Sequence, residues 1–310
     1  MYRLPILLII SIIILLSLPI ALPWTQFILT LAIAKGMVAL GVALLLRAGL
    51  ISIGHAMFYA VGAYSIAFLS RWGVNEFLVL LLLGTLASAI VGLIVGLFVI
   101  RYRAIFFAML NLAISMVLYA LLSKMYGVTG GTDGMPLKPF SFVGYELTKR
   151  EFDIVLYYSS VFLMLVVGYL THRYWKSPLG HALAAIENNE LRIEYLGVSA
   201  RAILLLAYVI SAVLAGIGGV IAGSAIGHVL PEFSYWTVSA QFVLIAVLGG
   251  IGGSAGPFIG SFFLELLHTF SVNITDAWNL IVGAALILVI VFLPAGLYGL
   301  LRKRNGKNYE

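Results

Sequence analysis

Runs of about 20 apolar residues recur along this sequence, and a helix of about that length crosses the hydrocarbon core of a lipid bilayer. Of its 310 residues only 10% are charged, and the mean hydropathy is +1.12. That composition excludes a soluble domain of this size. Because lipid offers the backbone no hydrogen bonds, the apolar segments must be helices. The sequence therefore predicts an all-α fold, a polytopic transmembrane helical bundle in which residues 1–310 form a single domain.

One of the apolar segments is interrupted. Residues 238–272 contain GGIGGSAGP, and that density of glycine and proline predicts two short segments that meet at a bend. The expectation is about 8–10 spans with broken or re-entrant glycine-rich segments. The first run is longer than the apolar core of a signal peptide, so it is predicted to be a transmembrane helix. The predicted continuous spans are 4–22, 26–46, 50–70, 76–100, 104–126, 154–172, 203–227 and 279–301.

Two of these spans carry a small residue at every fourth position. Such a pattern places the small residues on one helix face, where it lets two backbones approach closely in lipid. Tight helix packing is therefore predicted along both faces, which consist of Gly84, Ser88, Gly92 and Gly96 in one span and Ser211, Ala215, Gly219 and Gly223 in the other.

The basic residues indicate an orientation. The formal net charge is +6 and the pI is about 9.4, but the Lys and Arg residues are scattered at span ends, so no nucleic acid partner is expected. Basic residues are enriched on the cytoplasmic side of membrane proteins. Here most of them fall on the side of the chain termini. Both termini and a loop at about 173–202 are therefore predicted to be cytoplasmic. The chain contains no cysteine, and no metal site is predicted.

Residues 171–203 form a charged stretch that a membrane cannot hold, so they must lie in water. Ser177 and Pro178 suit a helix start, and Gly197 suits its end. Leu183, Ile186, Ile193 and Leu196 share one face of the predicted amphipathic helix. Such a helix could be gripped by a partner protein or could lie on lipid. Its acidic residues, among them Glu187 and Glu190, disfavour anionic lipid headgroups.

Polar residues inside spans are costly, so they mark faces turned toward the protein interior. A substrate path is predicted from one group of such residues and their neighbours, Ser52, Gly54, His55, Tyr59, Asn111 and Gln241. His55 could equally be hydrogen bonded between packed helices. Glu265 and His268, three positions apart, could form a proton relay or a structural pair. Lys35 could reach the membrane surface or pair with a carboxylate.

The loop at 127–153 contains TGGTDG, whose glycines and aspartate predict a tight turn. The turn could be an outer gate or a docking surface, or it could simply be a turn. Its candidate residues are Thr129, Gly130, Gly131, Asp133 and Gly134.

Four segments, in order, resemble the LivM and LivH permeases of branched-chain amino acid ABC importers. They are GLISIGHAMFYAVGAY (49–64), IFFAMLNLAISMVLYALLSKMYGVTGGTDGM (105–135), SPLGHALAAIENNELRIEYLGV (177–198) and PEFSYWTVSAQFVLIAVLGGIGGSAGPFIGSFF (231–263). The chain length and the long outer loop favour the LivM type. Leu50, Ile51 and Asn111 depart from the residues usual in the family. Urea, short amides or another small solute therefore remain alternative substrates.

The resemblance implies a permease subunit in the cytoplasmic (inner) membrane of a prokaryote. It implies as partners two ABC ATPases, a second LivH-like permease and an extracytoplasmic substrate-binding protein. The 177–198 segment would then be the coupling helix that contacts the ATPases. The candidate coupling residues are Pro178, Gly180, Ala185, Ile186, Glu187, Asn188, Glu190, Leu196 and Gly197.

The chain itself is not expected to be an enzyme. It lacks the GxxxxGK[S/T] phosphate-binding loop, so ATP and Mg²⁺ would be used by separate ATPase subunits and this chain would bind no cofactor. A less favoured alternative is a secondary transporter driven by protons, with Glu265 and His268 as the relay.

Overall fold

The computed structural model describes residues 15–274, 277–293 and 295–303. Within them the fold is almost entirely helical, which confirms the predicted all-α class. Its one small sheet pairs β1 (Met135–Pro136) antiparallel with β2 (His228–Val229). Residues 15–21 are also helical. The helices are α1 (Thr25–Leu46), α2 (His55–Arg71), α3 (Phe77–Val99), α4 (Ala104–Lys124), α5 (Tyr126–Thr129), α6 (Lys149–Trp175), α7 (Pro178–Asn188), α8 (Glu190–Tyr195), α9 (Ala200–Ile226), α10 (Trp236–Gly249), α11 (Gly256–Ile274), α12 (Trp278–Phe292) and α13 (Gly296–Lys303).

Five of the described helices, α1, α3, α4, α6 and α9, are long and apolar enough to cross a membrane. Burial separates central helices from peripheral ones. The apolar stretch of α1 is 89% buried and that of α9 is 67% buried, whereas the stretches of α3 and α4 are only 22% buried. Helices α1 and α9 therefore form the centre of the bundle, and α3 and α4 expose apolar faces as expected for contact with lipid.

The small residues in α3 and α9 lie in close helix contacts, as predicted. All four small residues of α3 are buried, and they pack against α9. An added Cβ at Gly96, for example, would lie 2.8 Å from the Tyr208 ring. Gly219 faces a different neighbour, because an added Cβ there would overlap the backbone carbonyl of Tyr59 in α2. Helix α9 therefore presents small residues to more than one partner.

The apolar runs predict the long helices well, but they do not predict the breaks. The span expected at 50–70 is helical only from His55 onward, and residues 50–54 are a non-helical segment in which Leu50, Ser52 and Gly54 are buried and Ile51 is exposed. The bend expected within 238–272 is confirmed, with α10 ending at Gly249 and α11 starting at Gly256.

The single span expected at 279–301 is wrong, because helix α12 ends at Phe292 and α13 begins at Gly296. Residues 4–14 of the first predicted span, and both chain termini, lie outside the described residues.

The connections between helices gather at two ends of the bundle. At the first, called here the loop end, lie the connections 47–54 and 100–103 together with α7 and α8. At the opposite end lie the connections 72–76, 125–148 and 227–235. Hydrogen bonds join the members of that second group, for example Leu137 N to Gly227 O at 2.9 Å and Ser141 N to Asn75 O at 2.8 Å.

Candidate functional site

The charged stretch at the loop end folds as two short helices rather than one. Ser177 caps α7, its Oγ accepting a hydrogen bond from Gly180 N at 3.3 Å, with Pro178 in the first turn. The single helix predicted to run on to Gly197 is wrong, because Asn189 leaves helical geometry and caps α8, its Oδ1 accepting from Arg192 N at 3.0 Å. Asparagine is a preferred N-cap, so the sequence did carry this signal.

Gly197 does supply the predicted stop. It has φ +80°, a conformation that costs glycine little and other residues about 1–2 kcal/mol. Its N–H donates to Glu194 O at 2.9 Å, and Val198 N donates to Ile193 O at 3.4 Å. These two bonds form the Schellman arrangement that closes a helix.

The apolar face of these helices turns inward. Leu183, Ile186 and Ile193 are 0%, 6% and 8% exposed and belong to the main core of the bundle. Three of the four stripe residues therefore pack against the bundle itself and are not available to a partner protein or to lipid. Only Leu196, 73% exposed, remains available.

A different apolar group faces outward at the loop end. We call it the exposed loop patch, and it consists of Leu191, Tyr195 and Leu196, which are 63%, 88% and 73% exposed. Sequence reasoning missed Leu191 and Tyr195, although their four-residue spacing on α8 places them on one face. Among the other predicted coupling residues, Pro178, Glu187, Asn188 and Gly197 are exposed, Ala185 and Glu190 are half-buried, and Gly180 and Ile186 are buried.

Residues of two connections, 47–54 and 100–103, hold this loop to the bundle. Arg103, which precedes α4, forms a bidentate pair with Glu190 at the start of α8, with Nε to Oε2 at 2.8 Å and Nη2 to Oε1 at 2.6 Å. This hydrogen-bonded guanidinium lowers the pKa of Glu190 below its ordinary value. An added Cβ at Gly49 would lie 3.2 Å from Cγ of Glu187, and the Arg47 guanidinium lies 4.6 Å from the centre of the Trp175 ring.

Four of the predicted substrate-path residues meet in a buried polar cluster where α2 begins. His55 Nδ1 lies 2.9 Å from Ser52 Oγ. An added Cβ at Gly54 would lie 2.6 Å from Asn111 O. The Asn111 side chain donates to Phe107 O at 2.8 Å and accepts from the Tyr208 hydroxyl. The side chains of Ser52, His55 and Asn111 are fully buried, so in this conformation the cluster is closed.

Ser239 connects this cluster to α10, because its Oγ accepts a hydrogen bond from Ala56 N at 2.9 Å. Tyr59 lies one turn further along α2, with its ring centre 5.2 Å from that of Phe233 and 5.3 Å from that of Phe242. Gln241, the sixth predicted residue, is half-buried on α10. The structure thus brings a second layer of aromatic side chains next to the polar cluster.

At the opposite end, TGGTDG forms the predicted tight turn. Gly130, Gly131 and Gly134 all have positive φ. Thr129 is buried, and its Oγ1 donates to Leu122 O at 2.6 Å. Asp133 is exposed, and its backbone carbonyl lies 2.7 Å from His228 Nε2. The turn therefore ties the end of α4 to the segment after α9.

Lys35 pairs with Glu265 midway along α1 and α11, with Nζ 2.7 Å from Oε2. The two side chains are 19% and 7% exposed. Glu265 and His268 line the same groove, whose volume is about 340 Å³. The pair resolves the alternatives for Lys35, because its ammonium meets a carboxylate rather than the membrane surface.

A family model described as "Branched-chain amino acid transport system / permease component" matches residues 24–291, which include α1 to α11 and nearly all of α12. The chain belongs to this permease family. The match confirms the family that the sequence motifs predicted, a membrane component that is not itself catalytic.

Individual relatives agree with the family match. This permease is 28% identical to the high-affinity branched-chain amino acid transport system permease protein LivM of Escherichia coli strain K12 over 252 residues, which are 74% of this chain and 59% of LivM. It is 30% identical to BraD of Pseudomonas aeruginosa over 169 residues, 53% of this chain and 54% of BraD. It is 30% identical to LivH of E. coli K12 over 125 residues, 40% of each chain. The alignment thus spans less than two thirds of LivM. No solved structure matches this permease.

Proposed function

We propose that this permease is the membrane-spanning subunit of an ATP-driven importer of branched-chain amino acids. The observation that carries the proposal is the construction of the loop end. There α7 and α8 expose the loop patch to solvent, while Arg103 and the buried Leu183, Ile186 and Ile193 fix the same helices to the bundle. A rigid loop with an outward apolar face suits the transfer of movement from a partner protein.

The partner at the loop end would be a pair of ABC ATPases in the cytoplasm, and these would bind the ATP and Mg²⁺. Reversing a strongly biased two-state equilibrium takes on the order of 5.5 kcal/mol of differential binding. ATP and a docked substrate-binding protein would supply it together. In this arrangement the permease lies in the cytoplasmic membrane of a prokaryote, with both termini and the loop end inside the cell.

The opposite end would face the binding protein. The TGGTDG turn and its exposed Asp133 lie there, held by the His228 contact. A second permease of the LivH kind would complete the membrane-spanning part, because both LivM and LivH are relatives of this chain.

The substrate would pass the buried cluster around His55 and Asn111 when the helices move apart. The wall there is largely aromatic, with Tyr59, Phe233 and Phe242 in contact, and it has few charges. Such a wall suits an amino acid with an apolar side chain. Urea, short amides and other small solutes remain the alternatives, and competition against labelled leucine separates them.

Glu187→Gln and Gly197→Ala test the coupling role in the complete transporter. We expect both variants to reach the membrane in normal amount and to lose uptake of labelled leucine. Gly73→Ala is the matched control for Gly197→Ala, since Gly73 also has positive φ (+90°) and open space around it but lies at the opposite end. Glu146→Gln is the control for Glu187→Gln, since Glu146 is also an exposed acid but lies at the opposite end.

Wild-type uptake in both loop variants would remove the coupling role. The energy source is tested separately in cells that express the wild-type transporter. Uptake that stops on ATP depletion but persists with an uncoupler supports the proposal. The reverse result would favour the proton-driven alternative.

A further inference from the structure

A cavity of about 210 Å³ lies between the first turns of α1 and α6, beside the last turn of α9. Its lining includes Gln26, Phe27, Arg150, Asp153 and Leu156. No residue of the loop end or of the buried cluster around His55 lines it. Pockets for drug-sized ligands usually measure about 300–1,000 Å³, so this one suits a smaller group.

The cavity brings together one cation and one anion that do not neutralise each other. Arg150 and Asp153 lie three positions apart on α6 and line the same space. Within the described part of the chain, neither forms an ion pair with the other or with a third residue. Lys149 acts on the Asp153 charge only from a distance.

Gln26 adds an unsatisfied donor to this cavity. Its side-chain Nε2 is buried and has no hydrogen-bond partner among the described residues. A buried amide without a partner is unfavourable, so a ligand that accepts its hydrogen bond is stabilised there. The Thr30 hydroxyl donates to the backbone carbonyl of Gln26 at 2.8 Å, and its oxygen is not a partner of Gln26 Nε2.

The length of α6 predicts the depth of the cavity, because its 27 residues span roughly 40 Å, about the thickness of a bilayer with its headgroups, and its ends are therefore expected at the headgroups. Asp153 is four residues from the start of α6, which at 1.5 Å per residue places it roughly 6 Å along the helix. The headgroup layer on each side of a bilayer is about 5–8 Å thick. Phe27, on the rim, is 49% exposed and so faces the surrounding lipid.

We propose that this cavity binds a small zwitterion, whose ammonium group lies against Asp153 and whose anionic oxygens accept hydrogen bonds from Arg150 and Gln26. Arg150 is exposed and Asp153 is half-buried, and a ligand with both charges can pair with the two side chains at once. Arginine suits phosphate and carboxylate equally, since its fork of donors matches both. The zwitterion can therefore come from an aminophospholipid of the membrane or from a free amino acid in water. The site goes beyond the proposed transport function and does not depend on ATPase coupling.

The test uses the purified transporter in nanodiscs of stated composition. In the first arm, native mass spectrometry measures how much phosphatidylethanolamine the protein retains from a mixture with phosphatidylglycerol. In the second arm, calorimetry measures leucine binding in discs of phosphatidylglycerol alone. Retention or binding in the wild type that falls about tenfold or more in Arg150→Gln and in Asp153→Asn supports the site, and the responding arm identifies the source.

Lys149→Gln is the matched control, because it removes a neighbouring cation that does not line the cavity. It should bind like the wild type, and Arg150→Lys should keep part of the binding. Equal thermal unfolding of the variants shows that folding is intact. If Arg150→Gln and Asp153→Asn bind as the wild type does, or if the wild type binds neither zwitterion, the proposal is overturned.

Discussion

Arg103 joins two helices whose relative position matters for any movement of the loop end. It is the last residue before α4, and its guanidinium holds Glu190, the first residue of α8. The next residue, Ala104, has φ +51°, which costs a non-glycine residue about 1–2 kcal/mol. Helix α4 leads from this point to Asn111 in the buried cluster, so Arg103 is well placed to transmit a shift of α8.

We predict that Arg103→Glu and Glu190→Arg each reduce uptake while the exchanged pair, carrying both substitutions, restores it. The pair is about one-third exposed, so its loss should change the free energy of unfolding by only about 0–1 kcal/mol. We expect the larger effect on transport, because without the pair a movement of α8 is no longer passed to α4. The measurement is leucine uptake together with ATPase activity in the reconstituted transporter. Uptake that stays low in the exchanged pair would show that the connection is not electrostatic.

The same pair has a pH dependence of known sign. Because the pKa of Glu190 is lowered in the folded protein, its contribution to stability is present above the ordinary pKa of glutamate and is lost as the pH falls through the lowered value. The difference in thermal stability between wild type and Glu190→Gln should therefore shrink in acid.

At this scale the sequence predicts which residues are unusual better than it predicts their partners. Lys35 and Glu265 are recognisable as costly charges inside apolar runs, yet they are 230 positions apart. Nothing local links them. The same limit applies to the apolar face of α7. An amphipathic pattern shows that a face is buried, but it does not show whether the face packs against the same chain, a partner protein or lipid.

Among the helices, α9 depends most on close contact. Because the Tyr59 carbonyl of α2 lies directly against Gly219, a methyl group there must push the two helices apart. Helix α9 also packs along α1 and α3, so such a shift would reach the centre of the bundle.

We predict that Gly219→Ala lowers the thermal stability of the detergent-solubilised protein, at a cost of about 1–3 kcal/mol. Gly283→Ala in α12 is the matched control, since an added Cβ there meets nothing within 4 Å and alanine favours a helix by about 0.5–1 kcal/mol. The measurement is the unfolding temperature followed by size-exclusion chromatography. Equal temperatures for the two variants would contradict the close-contact explanation.

Helix ends follow local polar signals that an apolar run does not contain. The span predicted at 154–172 begins at Lys149 in the structure, because Thr148 and Glu151 form a capping box, with Thr148 N donating to Glu151 Oε2 at 2.9 Å. The T-x-x-E pattern was available in the sequence. The late start of α2 at His55 depends on tertiary contacts with Asn111 and Ser239, which the sequence does not reveal.

For the whole molecule, the orientation in the membrane is the property on which the proposed function depends. The chain has no cysteine, so single cysteines can report it without a background signal. Tyr195 at the loop end is 88% exposed, and Tyr145 at the opposite end is 74% exposed. The two positions therefore form a matched pair.

We predict that a membrane-impermeant maleimide labels the Tyr145→Cys variant in intact cells and labels Tyr195→Cys only after the membrane is opened. Gel electrophoresis of the labelled protein gives the measurement. Strong labelling of Tyr195→Cys in intact cells would place the loop end outside and remove the proposed contact with cytoplasmic ATPases.

The Lys35–Glu265 pair also has a consequence for biogenesis. A lone charge in the middle of a membrane helix costs about 2.5–3.5 kcal/mol on insertion scales. The carboxylate that offsets the Lys35 charge is 230 positions later in the chain, which a ribosome takes roughly 10–50 s to synthesise. During that interval the Lys35 charge has no carboxylate partner, so α1 would need stabilisation by the insertion machinery or by its earliest neighbours. A nascent chain truncated before α11 would keep this uncompensated charge in the membrane, where quality control could recognise it.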